Sequence, residues 1–219
     1  MEMWWLTREW EKGPAALFTW VFWALFSVTL HELGHGWAAI REGDRTPVLS
    51  GHMTWNPLVH IGRMGAFMFL IIGLPFGAMP VTPSNFQRRY SDTFVAFAGP
   101  AMNFTLTIVC TLALTLWLNP RLGVTDPIHG HVTHFFWWGA VLNLVLGVFN
   151  LIPIPPMDGY RIVADLQPRY ARLWQTEAAA VVGMILFVIL FLRAGSVLFS
   201  FAAETIITVV KALARALYA

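Results

Sequence analysis

Charge is scarce in this sequence. Of its 219 residues, 14 are lysine or arginine and 12 are aspartate or glutamate, 12% in all, about half the share of an ordinary soluble domain. With 57% apolar and 15% aromatic residues beside it, that shortage excludes a disordered chain and argues against a water-soluble globule. The basic residues are scattered and the net charge is only +2, so no lysine and arginine face exists for a nucleic acid. There is one cysteine, Cys110, in an apolar run, and it excludes an internal disulfide. No repeat, low-complexity tract or long polar linker divides the chain, and residues 1–219 read as a single domain. The N-terminus does not read as a cleaved signal, because Glu2, Glu9 and Glu11 dilute its charge.

What the sequence has instead is long apolar runs. Charge-free stretches occupy residues 13–31 and on to 40, then 64–87, 93–120, 127–157, 178–192 and 194–203. A helix needs about 20 apolar residues to cross about 30 Å of hydrocarbon. The fold class is therefore an all-α polytopic membrane protein with five to six transmembrane helices, the lipid bilayer being its first partner. Trp4, Trp5, Trp10, Trp37, Trp117, Trp137, Trp138 and Trp174 fall near run ends, where amphipathic rings anchor at the interface. The second run is different. Residues 65–79 are few, Gly73, Pro75 and Gly77 interrupt them, and Pro80 and Pro83 follow. That pattern predicts a re-entrant hairpin or loop around residues 50–85 in place of a full span.

The first run carries His31, Glu32, Leu33, Gly34 and His35, the H-E-x-x-H pattern. On a helix, positions i and i+4 share a face, so two imidazoles can meet one metal ion with Glu32 beside them. Zinc suits such a site, with three protein ligands, an open position for water and a carboxylate to take that water's proton. Ionisable groups at membrane depth cost several kcal/mol unless they are paired or bind an ion.

A third ligand must come from elsewhere. His129, His131 and His134 sit in the polar loop expected at residues 119–134, between the third and fourth full segments, which a hairpin places on the opposite face. His52 and His60 lie on the motif's own face and remain candidates. Asp158 is better placed, at the end of the proline-rich stretch that follows Asn150, where it can reach back to an ion. With a hairpin, the motif face holds Arg41, Arg45, Arg63, Arg88, Arg89, Arg161, Arg169 and Arg172, against Arg8, Lys12 and Arg121 opposite. That bias makes the motif face cytoplasmic. Beyond Glu177, Arg193 is expected to divide two short helices and return Lys211 and Arg215 to the cytoplasm.

Three segments resemble the site-two protease family of intramembrane zinc metalloproteases: His31-Glu32-Leu-Gly-His35, Ala98-Gly99-Pro100-Ala-Met-Asn103, and Asn150-Leu-Ile-Pro-Ile-Pro-Pro-Met-Asp158-Gly159-Tyr-Arg161. The resemblance covers about residues 25–165 and is closest to the short microbial branch, which carries no PDZ or CBS domain. It implies one zinc per chain held by His31, His35 and Asp158, with Glu32 as catalytic base. It further implies that Asn150 holds substrate or the developing oxyanion, and that Gly99, Pro100 and Asn103 have a structural role. Gly62-Arg63 stands where relatives often carry Asp-Pro. The implied domain is a membrane-embedded metalloprotease with its core at residues 14–165 and C-terminal helices at 174–219. Its implied partner is a transmembrane protein substrate, cut within or near the membrane, and the site faces the cytoplasmic side of the cell membrane. Two other classes use similar residues: a zinc hydrolase acting on a lipid amide, and a non-catalytic metal-binding sensor or transporter, which would not need Glu32.

Overall fold

The computed structural model describes residues 5–73, 75–119 and 128–218; Trp4 and Arg121 lie outside them. Within the described residues the chain forms α1 (Trp5–Glu11), α2 (Pro14–Arg41), α3 (Thr46–Leu49), α4 (Pro57–Ile72), α5 (Ser91–Trp117), α6 (Ile128–Asn150), α7 (Asp158–Leu166), α8 (Pro168–Leu173) and α9 (Glu177–Tyr218), and no strand. Four of these, α2, α5, α6 and α9, are long and apolar enough to cross a membrane.

The apolar core lies between α2, α5, α6 and α9, where Trp20, Trp23, Ala24, Cys110, Leu114, Leu142 and Ile206 are buried together. Three buried threonines of α5 are satisfied locally. The hydroxyls of Thr107, Thr111 and Thr115 each donate to the carbonyl one turn back on α5, which removes three unpaired groups from an apolar interior.

Residues 42–90 leave the bundle and return on one side. Ser91, at the start of α5, donates its hydroxyl to the carboxylate of Glu42, just past the end of α2, and Gln87 N donates to Glu42 O at 3.1 Å. Between them α4 has 16 residues, about 24 Å if straight. It is interrupted at Gly62, where φ is +57°, and ends at Gly73, where φ is +85°. Residues 75–82 then run back without helix.

Asp44 ties this excursion together and was not legible as a structural hub. One of its carboxylate oxygens accepts from Thr46 N, Thr46 Oγ1 and Asn85 Nδ2; the other accepts from Thr82 N at 2.7 Å. Burial opposes its ionisation, but these bonds from Thr46, Asn85 and Thr82 outweigh it and hold the carboxyl below its ordinary value near 3.8. A folded-state pKa below the unfolded one gives stability that is present above about pH 4 and is lost as pH falls through the folded value. Asp44→Asn turns an amide N–H toward Thr82 N–H and is expected to cost about 1–3 kcal/mol at neutral pH. Thermal melts in detergent should show the gap between wild type and variant closing as the pH is taken below about 4.

The C-terminal run corrects the expectation of two helices. α9 is one helix of 42 residues, about 63 Å long. Arg193 and Gly195 do not break it: an arginine extends its guanidinium toward the interface, and one glycine costs a helix only about 1 kcal/mol. Tyr218 at its end donates to Thr115 O near the end of α5 at 2.9 Å. Lys211 and Arg215 therefore lie at the end opposite His31, not beside it. With the last two runs merged, four helices among the described residues are long and apolar enough to cross, where five to six were expected.

Candidate active site

α2 sets the first half of the site. His31 and His35 are one turn apart, and their rings converge, with 3.0 Å between the two Nε2 atoms. Their outer nitrogens are held by α5. His31 Nδ1 donates to Asn103 Oδ1 at 2.6 Å, and His35 Nδ1 donates to Val95 O at 2.7 Å. Both acceptors are oxygens without hydrogen, so each Nδ1 carries the proton and each Nε2 lone pair points inward. Asn103 is itself fixed, donating to Asn143 Oδ1 at 2.9 Å, and Asn143 donates to Gly139 O at 2.8 Å. Both asparagines are fully buried.

Asp158, the first residue of α7, supplies the third group. One carboxylate oxygen lies 3.1 Å from His31 Nε2 and the other 3.3 Å from His35 Nε2. α7 is mounted on the start of α5 by Arg161 against Asp92, and by Asp165, which accepts from Thr93 N at 2.9 Å and from its hydroxyl. The proline loop before Asp158 is braced by the Tyr170 hydroxyl, which donates to Pro153 O. Among the described residues, His31, His35 and Asp158 are the three potential ligands that converge.

The set fits a zinc ion. Bonds of about 2.0–2.1 Å in a tetrahedron put ligand atoms about 3.3 Å apart; the two imidazole nitrogens are 3.0 Å apart, Asp158 reaches each of them through a different oxygen at 3.1 and 3.3 Å, and one atom from each of the three residues lies within 4.8 Å of the others. Gly99 leaves the space. A Cβ built on it would stand 2.4 Å from His35 Nε2 and 2.6 Å from His31 Nε2. Val95, Gly99 and Asn103 follow at intervals of four along α5, so one stripe of that helix anchors both rings and leaves the gap between them.

In front of this gap is a cavity of about 630 Å³. Its polar lining is His31, Glu32, His35, Asn103, Asn150, Asp158 and Arg161; Phe76, Phe149, Phe187 and Met184 supply much of the apolar wall. Glu32 is nearly buried at 5% exposure, and it faces the returning segment, where a Cβ on Gly77 would lie 2.7 Å from its Oε1. Asn150 shares the cavity but spends one amide hydrogen on Leu146 O at 3.0 Å. Gly99 and Pro100 are both buried on α5.

The remaining histidines are elsewhere. His60 pairs its Nε2 with Thr54 O, and His52 its Nδ1 with Ser50. His129 stacks on Trp117, and His134 Nε2 accepts from Trp138 Nε1. Sequence reasoning missed Asn143 and Val95 as supports. An asparagine within a charge-free run was the available signal for Asn143; a backbone carbonyl leaves none.

Two outward-fixed imidazoles, a carboxylate closing the triangle and a second carboxylate facing a cavity are the parts of a metallohydrolase. Residues 19–125 and 124–193 match peptidase family M50. YwhC from Bacillus subtilis is 35% identical over 169 residues, covering 76% of this chain and 77% of its own. Rip2 from Mycobacterium tuberculosis is 34% identical over 151 residues, covering 66% of this chain and 54% of its own. Zinc metalloprotease MJ0392 from Methanocaldococcus jannaschii is 31% identical over 180 residues, covering 78% and 43%. The chain thus spans about half the length of the last two. No solved structure gives a significant match. The chain belongs to peptidase family M50, the zinc metalloproteases that the three sequence motifs resemble. Zinc is its metal.

The bond from Asn103 can be tested separately from the ligands. Asn103→Leu removes the acceptor for His31 Nδ1 and is expected to weaken zinc binding about 10- to 100-fold, measured by competition with a chelating dye.

Proposed function

We propose that the chain is an intramembrane endopeptidase that cuts a peptide bond within or near a membrane-spanning segment of a protein substrate. The observation that carries this reading is the convergence of His31, His35 and Asp158 beside Glu32, inside a helical bundle whose α2, α5, α6 and α9 are long enough to span. His31, His35 and Asp158 hold the zinc, which when bound supplies a Lewis acid that polarises a carbonyl and acidifies water. Glu32 takes a proton from the attacking water as its oxygen bonds to the peptide carbon. When the C–N bond breaks, Glu32 returns that proton to the leaving nitrogen. Asn150 turns its second amide hydrogen to the substrate or the developing oxyanion.

A membrane helix keeps its carbonyls in internal bonds, so the substrate must unwind first, and unpaired backbone in lipid costs several kcal/mol. The returning segment at residues 75–79, with Thr54 and His60 behind it, offers an edge that pairs with the unwound strand. Ala78 N is already bonded to His60 O at 3.0 Å. Beside it, Gly77 lies close against Glu32, where a Cβ would stand 2.7 Å from Oε1. Residues 1–219 act as one membrane-embedded domain, with the core at 14–165 and 174–219 alongside. The excursion at 50–85 is re-entrant, and the site opens toward the cytoplasm. Eight arginines at that end support this orientation, against Arg8, Lys12, Lys211 and Arg215 at the other.

The test is cleavage by purified protein of a single-span reporter, with a fluorescent lipid amide supplied in parallel. Cleavage of the reporter alone, abolished by phenanthroline and restored by zinc, is the expected result. Turnover of the lipid amide alone would refute the endopeptidase reading.

A further inference from the structure

The end of α4 is a difficult place for a helix. Gly73 N donates to Phe69 O at 2.8 Å, and beyond that bond the helix ends among apolar side chains, where donors are scarce. Two tryptophans from other helices add donors to its last carbonyls. Trp5 Nε1, from α1, donates to Leu70 O at 2.9 Å, and Trp20 Nε1, from α2, donates to Gly73 O at 2.8 Å. Both tryptophans are buried. The Trp5 ring packs on Phe69 with 5.3 Å between centroids, and it lies so close to Gly73 that a Cβ there would meet its Cγ at 2.7 Å. Gly73 also has the left-handed φ of +85° that makes the chain turn back.

Neither indole reaches the site. Trp20 precedes His31 by 11 residues on α2, about 16 Å along the axis, and neither tryptophan lines the cavity. What they hold does reach it. Four residues beyond Gly73, Gly77 lies against Glu32 and against Val28, where a Cβ would meet Oε1 and Cγ1 at 2.7 Å each. Where the tip is fastened therefore determines where residues 75–79 run.

We propose that Trp20 and Trp5 are positioning residues for substrate. Their indole N–H groups latch the tip from the end of the bundle opposite the zinc site, keeping residues 75–79 alongside Glu32 in the register that receives the substrate strand. The proposal rests on the reading above in which that segment pairs with substrate. With a latch bond lost, the segment occupies the receptive arrangement for only part of the time. Apparent affinity falls by that fraction, whereas a substrate already bound restores the arrangement and reacts at the old rate. The latch thus acts on KM and leaves kcat in place.

The test uses Trp20→Phe and Trp5→Phe in the full chain, each keeping a ring and losing the donor. The probe is dye-quenched casein, an unfolded polypeptide that needs no helix unwinding. Either variant is expected to raise KM about 2- to 10-fold, the worth of one hydrogen bond, with kcat within about twofold and about one zinc per chain retained. The double variant should fall short of the product of the two, because both bonds hold one tip. Unchanged KM in both variants would overturn the proposal. So would a fall in kcat at constant KM accompanied by zinc loss, which marks a role in stability alone. Casein hydrolysis by Glu32→Gln at the wild-type rate would overturn the protease reading and the latch's role with it.

Discussion

Glu32→Gln is expected to lower peptide hydrolysis about 10²- to 10⁴-fold, the range for removing a general base, while leaving zinc bound. The two halves of this result have different causes. The three atoms that converge on the metal gap come from His31, His35 and Asp158, and Glu32 is not among them. It sits one residue from His31, with its carboxylate toward the returning segment at Gly77. Glutamine keeps the length and the polarity of that side chain but cannot take a proton from water. Cleavage of the single-span reporter and the zinc content of the same preparation check both halves. Full zinc with full cleavage would remove Glu32 from the chemistry and revive the metal sensor or transporter.

Gly99→Ala should be the opposite case, with the base intact and the metal excluded. The added methyl stands 2.4 Å from His35 Nε2 and 2.6 Å from His31 Nε2, where the two lone pairs meet. α5 has little freedom to withdraw. One turn before Gly99 its Val95 carbonyl binds His35, and one turn after it Asn103 binds His31, so any retreat breaks the bonds that orient both rings. Overpacking a tight site costs about 1–3 kcal/mol, or about 5- to 150-fold in zinc affinity. Activity should fall with it, and the helical circular dichroism should stay. Dye competition for zinc checks the first statement and far-ultraviolet spectra the second.

How much of this was legible in the sequence follows from how local each feature is. His31, Glu32 and His35 lie within five residues, and helix geometry alone brings the two imidazoles together. Asp158 is 127 residues from His31, yet it could be inferred, because a bilayer restricts which loops share a face and reading residues 65–79 as a hairpin put Asp158 on the face of the motif. Asn103 was legible as a structural residue, but its bond to His31 was not. That bond depends on the rotation of α5 about its axis, which hydropathy does not fix. Trp5 read as an interfacial anchor and is buried against Phe69 and Gly73 at the end of α4, since an indole satisfies either setting. α9 was misread for a related reason. Arg193 resembles a break in a hydropathy pattern, but helix hydrogen bonds run through it without interruption.

The central claim is that His31, His35 and Asp158 together hold one zinc. Elemental analysis of detergent-purified wild type and Asp158→Ala tests it most directly. About one zinc per chain in wild type, lost or much weakened in a variant that keeps its helical content, is the expected result. No zinc in well-folded wild type, or full retention without Asp158, would contradict it.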